Sequence, residues 1–210
     1  MTSDNTRRVA VVGAGILGVS TAVALARKGV RVTLFAEASP SSGASGRSLA
    51  WLNSYGRRTP EYHNLRLLGL DRYRTFASRV DAASYLRFDG GLTWGPDGQA
   101  DGHRDAFEYM RKIGYAAEWI SAEEVAALTP GVDTTAIPAE GAIFNPQEGW
   151  VDLQRLIDEL VDQFLALGGV VRTDSGRCEI TVAGGRVTGV RTGHGEVVPF
   201  DTAVLATGAD

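Results

Sequence analysis

From Val9 the chain runs VAVV, four apolar residues with no polar break. That is the pattern of a strand buried on both faces of a parallel sheet. A glycine turn follows, then an alanine- and leucine-rich helix to Lys28 that Gly29 ends, then VRVTLF as a second strand. A helical period returns at residues 152–168, where Leu153, Leu156, Ile157, Leu160, Val161, Phe164 and Leu165 recur at spacings of three and four. Asp152 is the expected N-cap of this helix and Gly168 marks its end. GVVRT predicts the next parallel strand, the residues around Gly184-Gly185 predict a meander, and TAVLAT predicts a return to the sheet.

Between Tyr55 and Gly149 this βαβ rhythm stops. Thr59 and Pro60 read as the N-cap and first residue of a helix. YLRFDGGLTWG predicts a hairpin of two short strands around Gly90-Gly91. Ser121–Glu124 is a capping box opening a short helix that ends near Pro130, and GAIFN is another strand. The organisation expected is therefore one α/β domain with a parallel sheet, residues 1–54 and 150–210. Residues 55–149 interrupt it as part of an inserted α+β domain.

The turn after the first strand is G-A-G-I-L-G, with glycines at Gly13, Gly15 and Gly18 around Ile16 and Leu17. Within a βαβ unit this spacing is the Rossmann-like dinucleotide fingerprint. The first glycine allows the tight turn, the second lets a pyrophosphate approach the backbone, and the third lets helix and strand pack closely. The helix N-terminus offers N–H groups and partial positive charge to the phosphates. An acid should close the second strand to meet a ribose, and Glu37 is the candidate. The following stretch, EASPSSGASGRSLAWLNSYG, is a Ser/Gly loop whose backbone N–H and hydroxyl groups suit an anion.

Composition narrows the partners. Lys and Arg number 21 against 25 Asp and Glu, a formal charge of −4, which argues against a nucleic-acid partner. Cys178 is the single cysteine, so no internal disulfide forms, as in a reducing compartment. Arg7 and Arg8 precede an uncharged stretch from Val9 to Ala26 whose length alone suggests a membrane span or a twin-arginine signal. Its three glycines split it instead into strand, turn and helix, so a cytoplasmic protein without an integral membrane segment is expected. His63, His103 and His194 show no ligand spacing, so no metal site is expected and these residues are assigned to surface or helix-face positions. Trp51, Trp94, Trp119 and Trp150 are expected in the core. No nucleophile–base pair can be argued from the sequence.

Four stretches together resemble the FAD-dependent amine and amino-acid oxidoreductases of the D-amino-acid oxidase, glycine oxidase and sarcosine oxidase family. They are VAVVGAGILGVSTAVALARKGVRVTLF; GASGRSLAWLNS; ISAEEVAALTPGV with GAIFNPQEGWVDLQRLIDELVDQFLALGGVV; and GGRVTGVRT with DTAVLATGA. The resemblance runs the length of the chain. It implies FAD, bound noncovalently since the early loop has no histidine, with Gly13, Gly15 and Gly18 at the pyrophosphate. Ser45, Gly46, Arg47 and Ser48 would lie along the pyrophosphate and flavin end. Backbone around Arg177 and Cys178 would meet the adenine, and Ala206, Thr207 and Gly208 would pass beside the cofactor. Two positions depart from the family pattern. The ribose-binding acid belongs at Ala36, one residue before Glu37, and the usual adenine-side valine is Arg177 or Cys178 here.

The implied reaction removes a hydride from the carbon bearing an amine, reducing FAD and leaving an imine that hydrolyses. The substrate would be a small amine or amino acid, and no residue is assigned as acid or base. In the resembling family roughly as much chain again follows, completing the substrate domain and supplying the arginine that binds the substrate carboxylate. The sequence thus resembles a truncated N-terminal portion, expected to bind FAD weakly and to turn over little or nothing alone. Two alternatives stand beside this reading: a non-catalytic FAD-binding subunit completed by a second polypeptide that supplies the missing C-terminal half, and an inactive remnant.

Overall fold

The computed structural model describes residues 7–96 and 100–209. They form two compact units, Met1–Leu49 with Asp152–Asp210, and Ala50–Val151. Along the chain the first unit begins with β1 (Arg8–Val12), α1 (Ile16–Ala26) and β2 (Arg31–Phe35). The second contains β3 (Trp51–Leu52), α2 (Pro60–Ala77), β4 (Leu86–Arg87), β5 (Gly91–Thr93), α3 (Ala100–Lys112), β6 (Glu118–Ile120), α4 (Ala122–Leu128), β7 (Ala142–Asn145) and β8 (Gly149–Val151). The first unit resumes with α5 (Leu153–Ala166), β9 (Val170–Arg172), β10 (Glu179–Ala183), β11 (Arg186–Arg191), β12 (Val197–Pro199) and β13 (Thr202–Leu205).

In the first unit four strands pair in parallel in the order β13-β1-β2-β9. β1 lies inside the sheet and is buried from Val9 to Val12, which is why its sequence shows no alternation. α1 turns Gly18, Val19, Ala22, Val23 and Ala26 inward, a face of small side chains that lets it approach the strands closely. α5 packs on α1 and is capped by Asp152, whose side chain accepts the Arg155 N–H at 3.2 Å. Its apolar stripe is narrower than the sequence predicts: Leu156, Ile157, Leu160 and Phe164 are buried, whereas Leu165 is 48% exposed. β10, β11 and β12 form the antiparallel meander. Phe200, just after β12, meets Phe35 edge-to-face at 5.7 Å and closes a core with Ala10, Val12 and Val190. Burying each of the valine and phenylalanine side chains contributes roughly 1.5–3 kcal/mol.

The second unit holds two antiparallel sheets, β3-β8-β4 and β5-β7-β6. The hairpin expected around Gly90-Gly91 does not form, because β4 pairs with β8 and β5 pairs with β7. These glycines serve close packing instead. A Cβ on Gly90 would overlap the Phe144 ring, and one on Gly91 would overlap the Glu148 carboxyl. α2 starts at its Thr59 cap, and α4 shows the full capping box of Ser121 with Glu124. α3 has no counterpart in the sequence reading, yet its Met110 is fully buried in a core with Tyr115, Ala117 and Ile143.

The tryptophans divide. Trp94 and Trp119 are half-buried against core clusters, as expected, whereas Trp51 and Trp150, cross-strand neighbours on β3 and β8, are 38% and 39% exposed and need correction. His63 takes a helix-face position on α2, but on its buried face, with its Nδ1 2.8 Å from Ser54 Oγ. A helical side chain turned inward is indistinguishable from an outward one until its partner, here across a loop, is in place. Among the described residues no helix is long and apolar enough to cross a membrane.

Candidate functional site

The carboxyl ends of β1, β2 and β13 open into a cleft of about 1090 Å³ in the first unit. In open α/β sheets ligands bind at this end of the strands. The volume exceeds the roughly 300–1,000 Å³ of drug-sized pockets and suits a dinucleotide.

The glycine turn forms one wall. Gly13 donates its N–H to Phe35 O at 2.9 Å and adopts φ +109°, a conformation open to glycine and strained for other residues. A Cβ there would also overlap the Ala206 carbonyl. Gly15 is the N-cap of α1, with extended backbone and no side-chain cap, so the helix presents its first N–H groups toward the cleft. The Ile16 N–H donates to Ser45 Oγ at 3.1 Å, tying the serine loop to the helix start. Gly18 lies under the turn, where a Cβ would overlap the Gly13 carbonyl oxygen.

The serine loop forms the facing wall. Ser41 is buried with φ +60°, and its N–H donates to Ala14 O at 3.0 Å. A short 3₁₀ turn, Ala44–Arg47, follows. Across Gly13–Leu17 and Ser41–Ser45 the lining carries no acidic side chain and one end of a helix dipole. This fits an anion, since the dipole places about half a positive charge at that end.

The far end is built by a second loop. Asp174, Ser175 and Gly176 donate their N–H groups to the carbonyls of Ala38, Ala36 and Glu37 at 2.9–3.0 Å. β2 ends at Phe35, Ala36 is buried, and Glu37 is exposed at the cleft. Charged lining side chains belong to this end: Glu37, Arg177 and Glu179. Cys178 lines the same wall, and burial raises its thiol pKa above the usual value.

The cleft thus brings together Gly13, Gly15, Ile16, Leu17, Glu37, Ser45, Cys178, Ala206, Thr207 and Gly208 among the residues nominated from sequence. Four others stand back from it. Gly18 supports the turn, a Cβ on Gly46 would overlap the Ser41 carbonyl, Arg47 donates to Ser42 O at 3.3 Å, and Ser48 is exposed outside the lining. Ala14, Gly176, Glu179 and Ile180 line the cleft without having been anticipated. The signal for Gly176 was the Asp-Ser-Gly turn at 174–176, which places that loop against the end of β2. Among the described residues no group of three or more His, Cys, Asp or Glu side chains could hold a metal ion.

Fold and cleft define a dinucleotide-binding α/β domain interrupted by a second unit. Residues 8–210 match the DAO family of FAD dependent oxidoreductases, and the chain belongs to that family. It is 34% identical over 157 residues to the tRNA 5-methylaminomethyl-2-thiouridine biosynthesis bifunctional protein MnmC of Chromohalobacter salexigens, across 73% of this chain and 22% of that protein. It is 28% identical to D-amino acid dehydrogenase 2 of Ralstonia nicotianae, across 96% of this chain and 60% of that protein. The crystal structure of glycine oxidase from Bacillus cereus superposes with a TM-score of 0.80 at 21% identity, over 96% of this chain and 55% of that one, a likeness of fold. The chain therefore spans between about a fifth and three fifths of the length of these relatives. FAD is the family's cofactor.

Proposed function

We propose that the first unit binds FAD noncovalently in its cleft and that the second unit is part of a substrate domain. The chain then forms the cofactor-binding portion of a cytoplasmic oxidoreductase acting on the C–N bond of an amino acid or secondary amine. The observation that carries this reading is the acid-free face of the cleft, where the glycine turn, the α1 N-terminus and the serine loop converge. The names of the relatives support the substrate class: D-amino acid for the Ralstonia protein, glycine for the Bacillus one. When bound, FAD supplies the acceptor for a hydride leaving the carbon that bears the amine.

In this reading Gly15 and the N–H groups opening α1 meet the pyrophosphate. Glu37 accepts from the ribose hydroxyls. Because the chain leaves the strand at Phe35, strand alternation no longer dictates where residue 37 points. Backbone at Arg177–Cys178 borders the adenine. No side chain is given an acid or base role, and a completing polypeptide is the partner that would supply one.

Titration of FAD with the purified 210-residue chain, followed by desalting, tests the reading. The expected result is saturable quenching of flavin fluorescence and partial loss of the visible band on desalting, with no amine turnover. Unaltered flavin fluorescence at all protein concentrations would refute the cofactor site. Robust amine oxidation by the chain alone would refute its inactivity in isolation.

A further inference from the structure

The second unit encloses a carboxyl group that the cofactor reading does not use. Glu148, in the turn between β7 and β8, has no exposed surface. Its Oε1 accepts the Tyr115 hydroxyl proton at 2.6 Å, and the Tyr115 oxygen accepts the Ser54 backbone N–H at 2.9 Å. Ser54 Oγ continues the chain to His63 Nδ1 at 2.8 Å. Glu148 Oε2 is buried and no hydrogen bond of good geometry reaches it, although the Trp51 indole N–H lies beside the carboxyl. It occupies the space a Gly91 Cβ would take, with the Trp51 indole Nε1 bordering the same point at 3.0 Å. The backbone fixes this inward placement, since Gly90 N–H donates to Glu148 O at 3.0 Å and Glu148 N–H to Asn145 O at 3.2 Å.

Among the described residues no cation pairs with the group. Arg66 on α2 spends its guanidinium on Asn53, with Nε on the carbonyl at 2.6 Å and Nη2 on Oδ1 at 3.0 Å. Burial holds His63, also on α2, below its usual pKa. Arg74 donates to the Gln147 carbonyl, and Arg87 pairs with Asp89 at 2.7 Å on the exposed β4–β5 connection. Burial therefore prevails: it pushes Glu148 up to about 7 against the opposing pull of Tyr115, Trp51 and Arg66.

We propose that Glu148 is a pH-operated latch: as a neutral acid it stays buried against Trp51, Gly91 and Tyr115, and on losing its proton to solvent its buried charge, which two donors alone do not offset, draws water in and loosens that cluster. The folded chain keeps a proton that the unfolded chain releases above its ordinary value of 4.5. The latch's contribution is thus full below about pH 4.5, falls as pH rises toward 7, and levels off above it.

Thermal and urea unfolding of the full chain and of Glu148→Gln between pH 4.5 and 8 tests this. From pH 5 to 8 the wild-type folding equilibrium constant is expected to fall on the order of tenfold to a hundredfold more than that of the variant. Parallel pH profiles would overturn the proposal. A readout needing no variant is the carboxyl carbon resonances of the ¹³C-labelled wild type. One glutamate is expected to titrate near neutrality, and a set titrating wholly in the ordinary range would overturn the latch even if Glu148→Gln fails to fold.

Discussion

Gly18→Ala is expected to destabilise the first unit by about 3–5 kcal/mol and to lower its melting temperature by roughly 10 °C or more, with no ligand present. The sign is the informative part. In an ordinary helix interior alanine is about 1 kcal/mol more favourable than glycine, so propensity alone predicts stabilisation. Gly18 is different because the Gly13 carbonyl oxygen occupies the space a Cβ needs. That carbonyl belongs to a residue at φ +109° whose own Cβ position is filled by Ala206. Neither the turn nor the end of β13 can retreat without breaking the bonds from Gly13 N to Phe35 O and from Ala206 N to Val12 O. Gly69→Ala in α2 is the control: nothing lies within 4 Å of its Cβ position, and a gain of about 0.5–1 kcal/mol is expected. Ligand-free melts followed by circular dichroism read both. Equal effects of the two substitutions would show that the turn and helix are not in contact as described.

The contrast between these glycines marks what the sequence could and could not convey. The β1–α1–β2 unit was legible because its determinants lie within thirty residues, and each glycine spacing has one geometric meaning in a strand–turn–helix context. Gly90-Gly91 has the same composition as a hairpin turn, but its meaning comes from Phe144 and Glu148, more than fifty residues away. The local signal was real and the tertiary requirement overrode it. α3 escaped for a related reason. Its sequence, ADGHRDAFEYMRK, is mostly charged and polar, and Met110 becomes a core residue only once Ile143 and Tyr115 surround it. Burial of His63 and Glu148 is likewise a property of their partners, Ser54 and Tyr115.

Within the cleft the same division holds. The glycine wall and Ser45 follow from the fingerprint and the loop composition, whereas the 174–180 wall follows from a zipper of backbone bonds onto residues 36–38. Backbone carries no side-chain signature, so sequence could place Cys178 there only by resemblance. The one-residue displacement from Ala36 to Glu37 becomes intelligible at this level. Ala36 is 2% exposed and bonded through its N–H to Arg172 O, continuing the sheet pairing, while Glu37 beside it on the cleft lining is exposed.

Gly15→Asp is expected to lower FAD affinity by two to three orders of magnitude while leaving the ligand-free melting temperature unchanged or slightly higher. The two effects share one cause. Gly15 is the N-cap of α1 at φ −79° and ψ −178°, backbone that any residue adopts, and it provides no side-chain cap. Aspartate is among the best N-cap residues, a few tenths of a kcal/mol better than glycine, because its carboxylate accepts the free N–H groups of the first turn. Here those would be the N–H groups of Leu17 and Gly18, the donors the proposed pyrophosphate needs. The substitution fills an anion site with a tethered anion, and repulsion between carboxylate and phosphate adds to the lost contacts. The nearest obstacle to the new Cβ is Ser45 Oγ at 3.1 Å, which has to give by a few tenths of an ångström and, if it rotates further, releases the Ile16 N–H to the new carboxylate. Flavin-fluorescence titration paired with ligand-free melts separates the outcomes. Lost affinity with an intact melt places the pyrophosphate at the α1 N-terminus, and retained affinity refutes that placement. Loss of both would mean that Gly15, like Gly18, is held by packing, with Ser45 Oγ unable to yield.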